Sequence, residues 1–169
     1  MVLTKPELLT ELQKEARILV HLAGKLDSSQ LDYRPTSKQR SSLELLRYLS
    51  FMGPQVVTAA KRKAFDGEAW GAAVAEAATR DFQQTMAVIG KLPEVYEKLL
   101  ADMSDDDFRG ELTGFDGNKI SAGRFIVSVV LGGHAAYRTQ LFCYLKSCGR
   151  EELSTPNLWR GVDPVPASA

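Results

Sequence analysis

"TKPELLTELQKEARILVHLAGKL", Thr4 to Leu26, carries the pattern on which the fold rests. It opens with a Thr-x-x-Glu box, Thr4 to Glu7, and places Pro6 in the first turn. That combination starts a helix: hydroxyl and carboxylate satisfy backbone N–H groups without helical partners, and proline has no N–H to lose. Apolar residues then return at Leu9, Leu12, Ala16, Leu19, Ala23 and Leu26, the spacing of one helix face. His21 falls opposite that stripe and is expected at the surface.

The same periodicity runs through most of the chain, and strand signals are almost absent. A second helix starts at "SSLE", capped by Ser41 with Glu44 reaching back, and continues past Tyr48 and Met52 toward Lys63. A bend is expected at Gly53-Pro54. "FDGEAWGAAVAEAA" reads as a looser link to a third helix that Thr79 caps. Phe82, Met86, Ile89, Tyr96, Leu99 and Met103 keep helical spacing across Pro93, as one kinked helix or two stacked pieces. The fourth helix runs from Ser121 to a stop at Gly149. "LDSSQLDYRP" and "MSDDDFRGEL" are alike, so the chain divides into two helix–linker–helix halves. Such halves pack as a four-helix bundle. The expectation is an all-α fold, one domain over residues 1–150, and an extended tail over 151–169 anchored by Trp159.

Lys plus Arg equal Asp plus Glu at 21 each, so no basic field gathers phosphates and nucleic acid is not an expected partner. The N-terminus has no apolar signal core, and "FIVSVVLGG" is too short for a bilayer; no membrane partner is expected, and the cytoplasm is the expected location. Cys143 and Cys148 stand five apart on one helix and project differently, which fits reduced packing thiols better than a disulfide or a zinc site.

On the fourth helix Ile126, Val130, Gly133, Tyr137, Leu141 and Tyr144 form one stripe. His134 lies about 60° from it at 100° per residue, on the flank of the buried face. On the second helix Tyr48 shares a stripe with Leu45, Met52 and Val56, so Tyr48 and Tyr137 both face the interior. Arg34 is expected to tie its linker to a helix end, and Gln140 to bridge helices.

From Leu9 to Gly149 the chain resembles the DinB/YfiT-like four-helix bundles. "KLDSSQLDYRP" resembles that family's first linker, "SSLELLRYLSFM" its second helix, and "YRTQLFCYLKSCG" its fourth. The resemblance implies a divalent metal held by three histidines, one on the second helix and an i, i+4 pair on the fourth. This chain has Tyr48, Gly133 and Tyr137 at those places, with His134 one residue out of phase. Glycine offers no donor and a neutral phenol is a poor ligand. No metal and no cofactor are therefore expected.

What remains is either a pocket opened at Gly133, lined by Tyr48, Tyr137 and His134, or a core in which the tyrosines fill the vacated volume. Three functional classes follow. One is a DinB-like protein that binds a small molecule or a protein partner. Another, implied by the resemblance, is a thiol-dependent transferase, isomerase or hydrolase, in which the tyrosines and His134 would replace the metal at the central pocket. The third concerns assembly: Leu43, Leu46 and Val57 on the far side of the second helix suggest a homodimer, as dimers in the resembled family do.

Overall fold

The computed structural model describes residues 3–165. Thr4 begins the first helix, α1 (Lys5–Ala23), with the reciprocal bonds that its box implies: the Thr4 N–H donates to Glu7 at 2.7 Å and the Glu7 N–H to the Thr4 hydroxyl at 3.4 Å. Leu12, Ala16, Leu19 and Ala23 are buried as the stripe requires. Ile18 and Leu22 are buried beside them, because neighbours cover α1 on more than one side.

The second helix, α2 (Ser42–Arg62), is capped by Ser41 and continues unbroken through Gly53 and Pro54. The "FDGEAWGAAVAEAA" stretch is not a loose link but a helix, α3 (Gly67–Thr79). The Asp66 carboxylate caps it at 2.9 Å, and its alanines favour helix without needing a strongly apolar face. Thr79 ends α3 instead of starting the next element. That start belongs to Asp81 and Gln84, which box α4 (Phe82–Gly90). The third bundle member comes in two pieces: α5 (Leu92–Leu100) takes Pro93 in its first turn, where the missing N–H costs nothing.

Beyond a short helix, α6 (Asp105–Arg109), lies a hairpin that the sequence did not announce. Its strands β1 (Glu111–Thr113) and β2 (Lys119–Ser121) pair antiparallel, and three residues are too few to show alternation. Gly117, at φ 80°, makes the turn between them. The last bundle helix comprises α7 (Ala122–Phe125), a π-helical stretch over Ile126–Leu131 and α8 (Gly132–Ser147).

With α1, α2 and the α4–α5 pair, this helix closes a four-helix bundle around one core; α3 packs outside on α2. Leu46 and Val57 are fully buried within the chain, and Leu43 is half-buried. The far side of α2 thus has its cover already, and the reason for expecting a second chain there is gone. Among the described residues no helix is long and apolar enough to cross a membrane.

The tail also differs from expectation. Instead of running extended, it forms α9 (Thr155–Arg160), with Pro156 in the first turn, where it favours helix, and Ser154 and Asn157 as the capping box. Asn157 is buried, whereas Trp159, the expected anchor, is 59% exposed. Gly161, at φ 63°, ends α9 so close to α1 that a Cβ there would stand 3.0 Å from the Ile18 Cα. His21, expected at the surface, lies half-buried under this helix and accepts a bond from the Asn157 amide at 3.1 Å. Residues 166–169 of the expected tail lie outside the described residues.

Candidate functional site

The π-helical stretch decides which side chains of α8 face the core. The Gly132 N–H bonds to the Val127 carbonyl five residues back, so the chain carries one more residue in this turn than an α-helix would. The buried face therefore proceeds from Ile126 and Val130 to His134, Arg138, Leu141 and Leu145. His134 is not on the flank: it is 1% exposed, while Gly133 and Tyr137 are half-buried.

In the core, the His134 Nε2 stands 2.6 Å from the Tyr96 hydroxyl of α5, and Tyr96 is fully buried as well. Gly53 makes room for this pair; a Cβ there would overlap the Tyr96 oxygen and lie 3.0 Å from the imidazole. The His134 Nδ1 has no hydrogen-bond partner. Burial lowers the histidine pKa to about 4 and raises that of Tyr96, so both are neutral at neutral pH. A buried imidazole bound to a buried phenol cannot meet a substrate thiol. Tyr96 is legible in the sequence as a member of its helix stripe but not as the partner of His134; the signal for the pairing is Gly53 inside the apolar stretch of α2.

Tyr48 and Tyr137 do meet across the interface of α2 with α8, their ring centroids 5.2 Å apart at 72°. A Cβ on Gly133 would stand 3.1 Å from the Met52 methyl, so Met52 occupies the space that the missing side chain leaves. Burial first, and then the neighbouring Tyr137 phenol, push the Tyr48 pKa up to about 12, against a pull from Arg40.

Away from Tyr137, Tyr48 borders a cleft of about 270 Å³ between α2 and α3. Its aromatic walls are Tyr48, Phe51 and Trp70; Phe51 and Trp70 pack edge-to-face at 5.2 Å, and Tyr48 meets Trp70 at 6.3 Å. The polar groups are Arg40, Glu44 and Arg47. Arg47 is engaged, its Nε donating at 2.7 Å to the Arg80 carbonyl at the end of α3. Glu44 bonds to the Ser41 N–H and pairs with Arg34 at 3.3 Å, which holds its carboxyl below the usual range, the backbone bond contributing most. That pair is also where Arg34 ties its linker to the start of α2. Arg40 is exposed and lies 4.1 Å over the Tyr48 ring. Neither Gly133, Tyr137 nor His134 lines this cleft.

No family model matches the chain, and no curated protein matches it. Among solved structures it is similar to the crystal structure of a DinB-like protein, YjoA, from Bacillus subtilis. The TM-score is 0.67 over 90% of this chain and 97% of that one, at 13% identity. The chain has the DinB-like fold. At that identity the likeness speaks for the fold alone.

The residues at the positions that the family resemblance assigns to metal do not fit a divalent ion. Gly133 has no donor, and Tyr48 keeps its proton to about pH 12. Among the described residues no three of His, Cys, Asp and Glu gather at one point. Cys143 is exposed and Cys148 half-buried, and both are free.

A larger groove of about 570 Å³ lies between the start of α1 and the α6–α7 region, walled by Leu3, Leu8, Phe108 and Val127. Two of its charged groups are already engaged: Lys5 with the carbonyls of Ala101 and Met103, and Arg109 with Asp106 and with Asp105, which also lines the groove. Gln140 does not bridge helices directly. It donates to the Tyr144 hydroxyl on its own helix, and that hydroxyl reaches the Arg40 carbonyl at 3.0 Å.

Proposed function

We propose that this DinB-like bundle is a small-molecule-binding protein whose site is the cleft between α2 and α3 at Tyr48, not the centre of the bundle. The observation that carries this is the division of labour around Tyr48. Its inner side closes the core against Tyr137, and its outer side joins Phe51 and Trp70 in an open aromatic cleft with a cation at its rim. Concave, largely apolar walls with few polar groups are what small-ligand sites require. The thiol-transfer reading needs His134 at a solvent-accessible centre, and the burial of that imidazole speaks against it.

The test is an NMR titration of the ¹⁵N-labelled protein with a panel of one- and two-ring aromatic acids, amides and amines. The chain has two tryptophans, so the indole N–H signal of Trp70 reports the cleft and that of Trp159 serves as a control. Expected is a saturable shift at Trp70, lost in Tyr48→Ala, with Trp159 unmoved. A panel that leaves Trp70 in place would refute the reading.

A further inference from the structure

Resting on that reading, we infer that the α2–α3 cleft selects small aromatic monocarboxylates, with the ring against Trp70 and Tyr48 and the carboxylate on Arg40. Three features of the cleft carry this. The first is size: about 270 Å³ lies just below the common range for ligand sites and admits one ring or two. The second is the wall, three aromatic side chains set edge-to-face, which offers another ring both edges and faces to pack against.

The third is charge. Two arginines and one glutamate line the cleft, and Arg34 compensates that glutamate from outside it. Arg47 spends its Nε on a carbonyl that ends a helix, which leaves Arg40 as the cation available to a ligand. Among the described residues Arg40 forms no ion pair with a carboxylate of the chain. Its guanidinium carbon lies 4.1 Å over the Tyr48 ring, and a guanidinium not held by a carboxylate can meet a planar two-oxygen anion through paired N–H donors. A neutral ring would use the walls and forgo the guanidinium; an aromatic cation would meet it and be repelled.

The experiment compares 4-chlorobenzoate with 4-chlorobenzamide, which share ring and shape and differ in charge, following the Trp70 indole signal. The benzoate is expected to bind at least tenfold more tightly than the amide. Arg40→Gln should remove that advantage by weakening the benzoate far more than the amide, and Arg40→Lys should restore it in part. Arg40 is exposed, so these variants keep the fold. Equal binding of the two probes overturns the charge selection while leaving a binding cleft in place. Binding of amines from the wider panel in preference to acids overturns it in the same way. No saturable shift with any probe overturns the cleft itself. Retention of the tenfold advantage in Arg40→Gln overturns the role of Arg40.

Discussion

At the scale of single residues, the buried His134–Tyr96 pair makes stability depend on pH. The folded pKa of His134, about 4, lies below the ordinary histidine value of 6.5, so the unfolded chain binds more protons between those limits. Stability therefore falls as pH drops from about 6.5 to 4, by about 3 kcal/mol for a 2.5-unit difference at 1.36 kcal/mol per unit. His134→Gln has no proton to gain, so its denaturant midpoint should depend less steeply on pH across that window. Parallel curves for variant and wild type would show that the histidine is not the titrating group. Gly53 is a second test of the same pair. Gly53→Ala pushes a methyl into the Tyr96 oxygen and should cost about 2–3 kcal/mol by overpacking and a lost hydrogen bond. Tyr96→Phe in that background removes the colliding oxygen, so the double variant should lose less than the sum of the single changes. Strict additivity in a denaturation cycle would mean that the two residues do not collide.

At the scale of elements, the starts of the first two bundle helices were legible, whereas the start of α4 and the register of the last bundle helix were not. Thr4, Ser41 and Glu44 announce their own starts because capping is local chemistry, read within four residues. Tyr48 and Tyr137, both expected to face the interior, are half-buried with their ring centroids 5.2 Å apart. His134 was misplaced because 100° per residue was carried through a turn that is π-helical, and nothing local in "IVSVVL" marks the extra residue. Likewise α3 was missed because it is alanine-rich and packs only one side lightly, and α9 because prolines in a tail read as extended chain. The π reading has a sharp consequence. Removing one residue from the wide turn returns it to α geometry without rotating α8 against the core. Deleting the exposed Ser128 should thus leave a cooperative fold with a melting temperature within a few degrees of wild type. Deleting the exposed Ala136, inside regular α-helix, turns everything beyond it by about 100° and should abolish cooperative unfolding. If both deletions behave alike, the wide turn is not an inserted residue.

At the scale of the whole molecule, one ion pair joins the bundle to its C-terminal helix. The Arg138 Nε lies 2.5 Å from the Glu15 carboxylate, both side chains under 10% exposed, so α8 and α1 are linked through the core. The same guanidinium donates to the Leu158 carbonyl at 2.5 Å and stands 5.3 Å from the Trp159 ring, which holds α9 down. Asp163 continues the clasp at the surface with Lys25 at 2.7 Å. Breaking a buried pair on one side leaves an uncompensated charge, so Glu15→Gln should cost about 3–5 kcal/mol. Replacing both partners by apolar residues of similar size removes that charge, and Glu15→Leu with Arg138→Met should recover most of the loss. The double change cannot replace the bond to Leu158, however. It should therefore unfold near the wild-type denaturant midpoint while trypsin cuts after Arg160 faster than in wild type. Recovery of the midpoint with unchanged cleavage would mean that α9 is held by Asn157, Asp163 and the packing of Gly161 on Ile18 alone. No loss of stability in Glu15→Gln would mean that water reaches the pair, and that Arg138 does not join bundle and tail as a single unit.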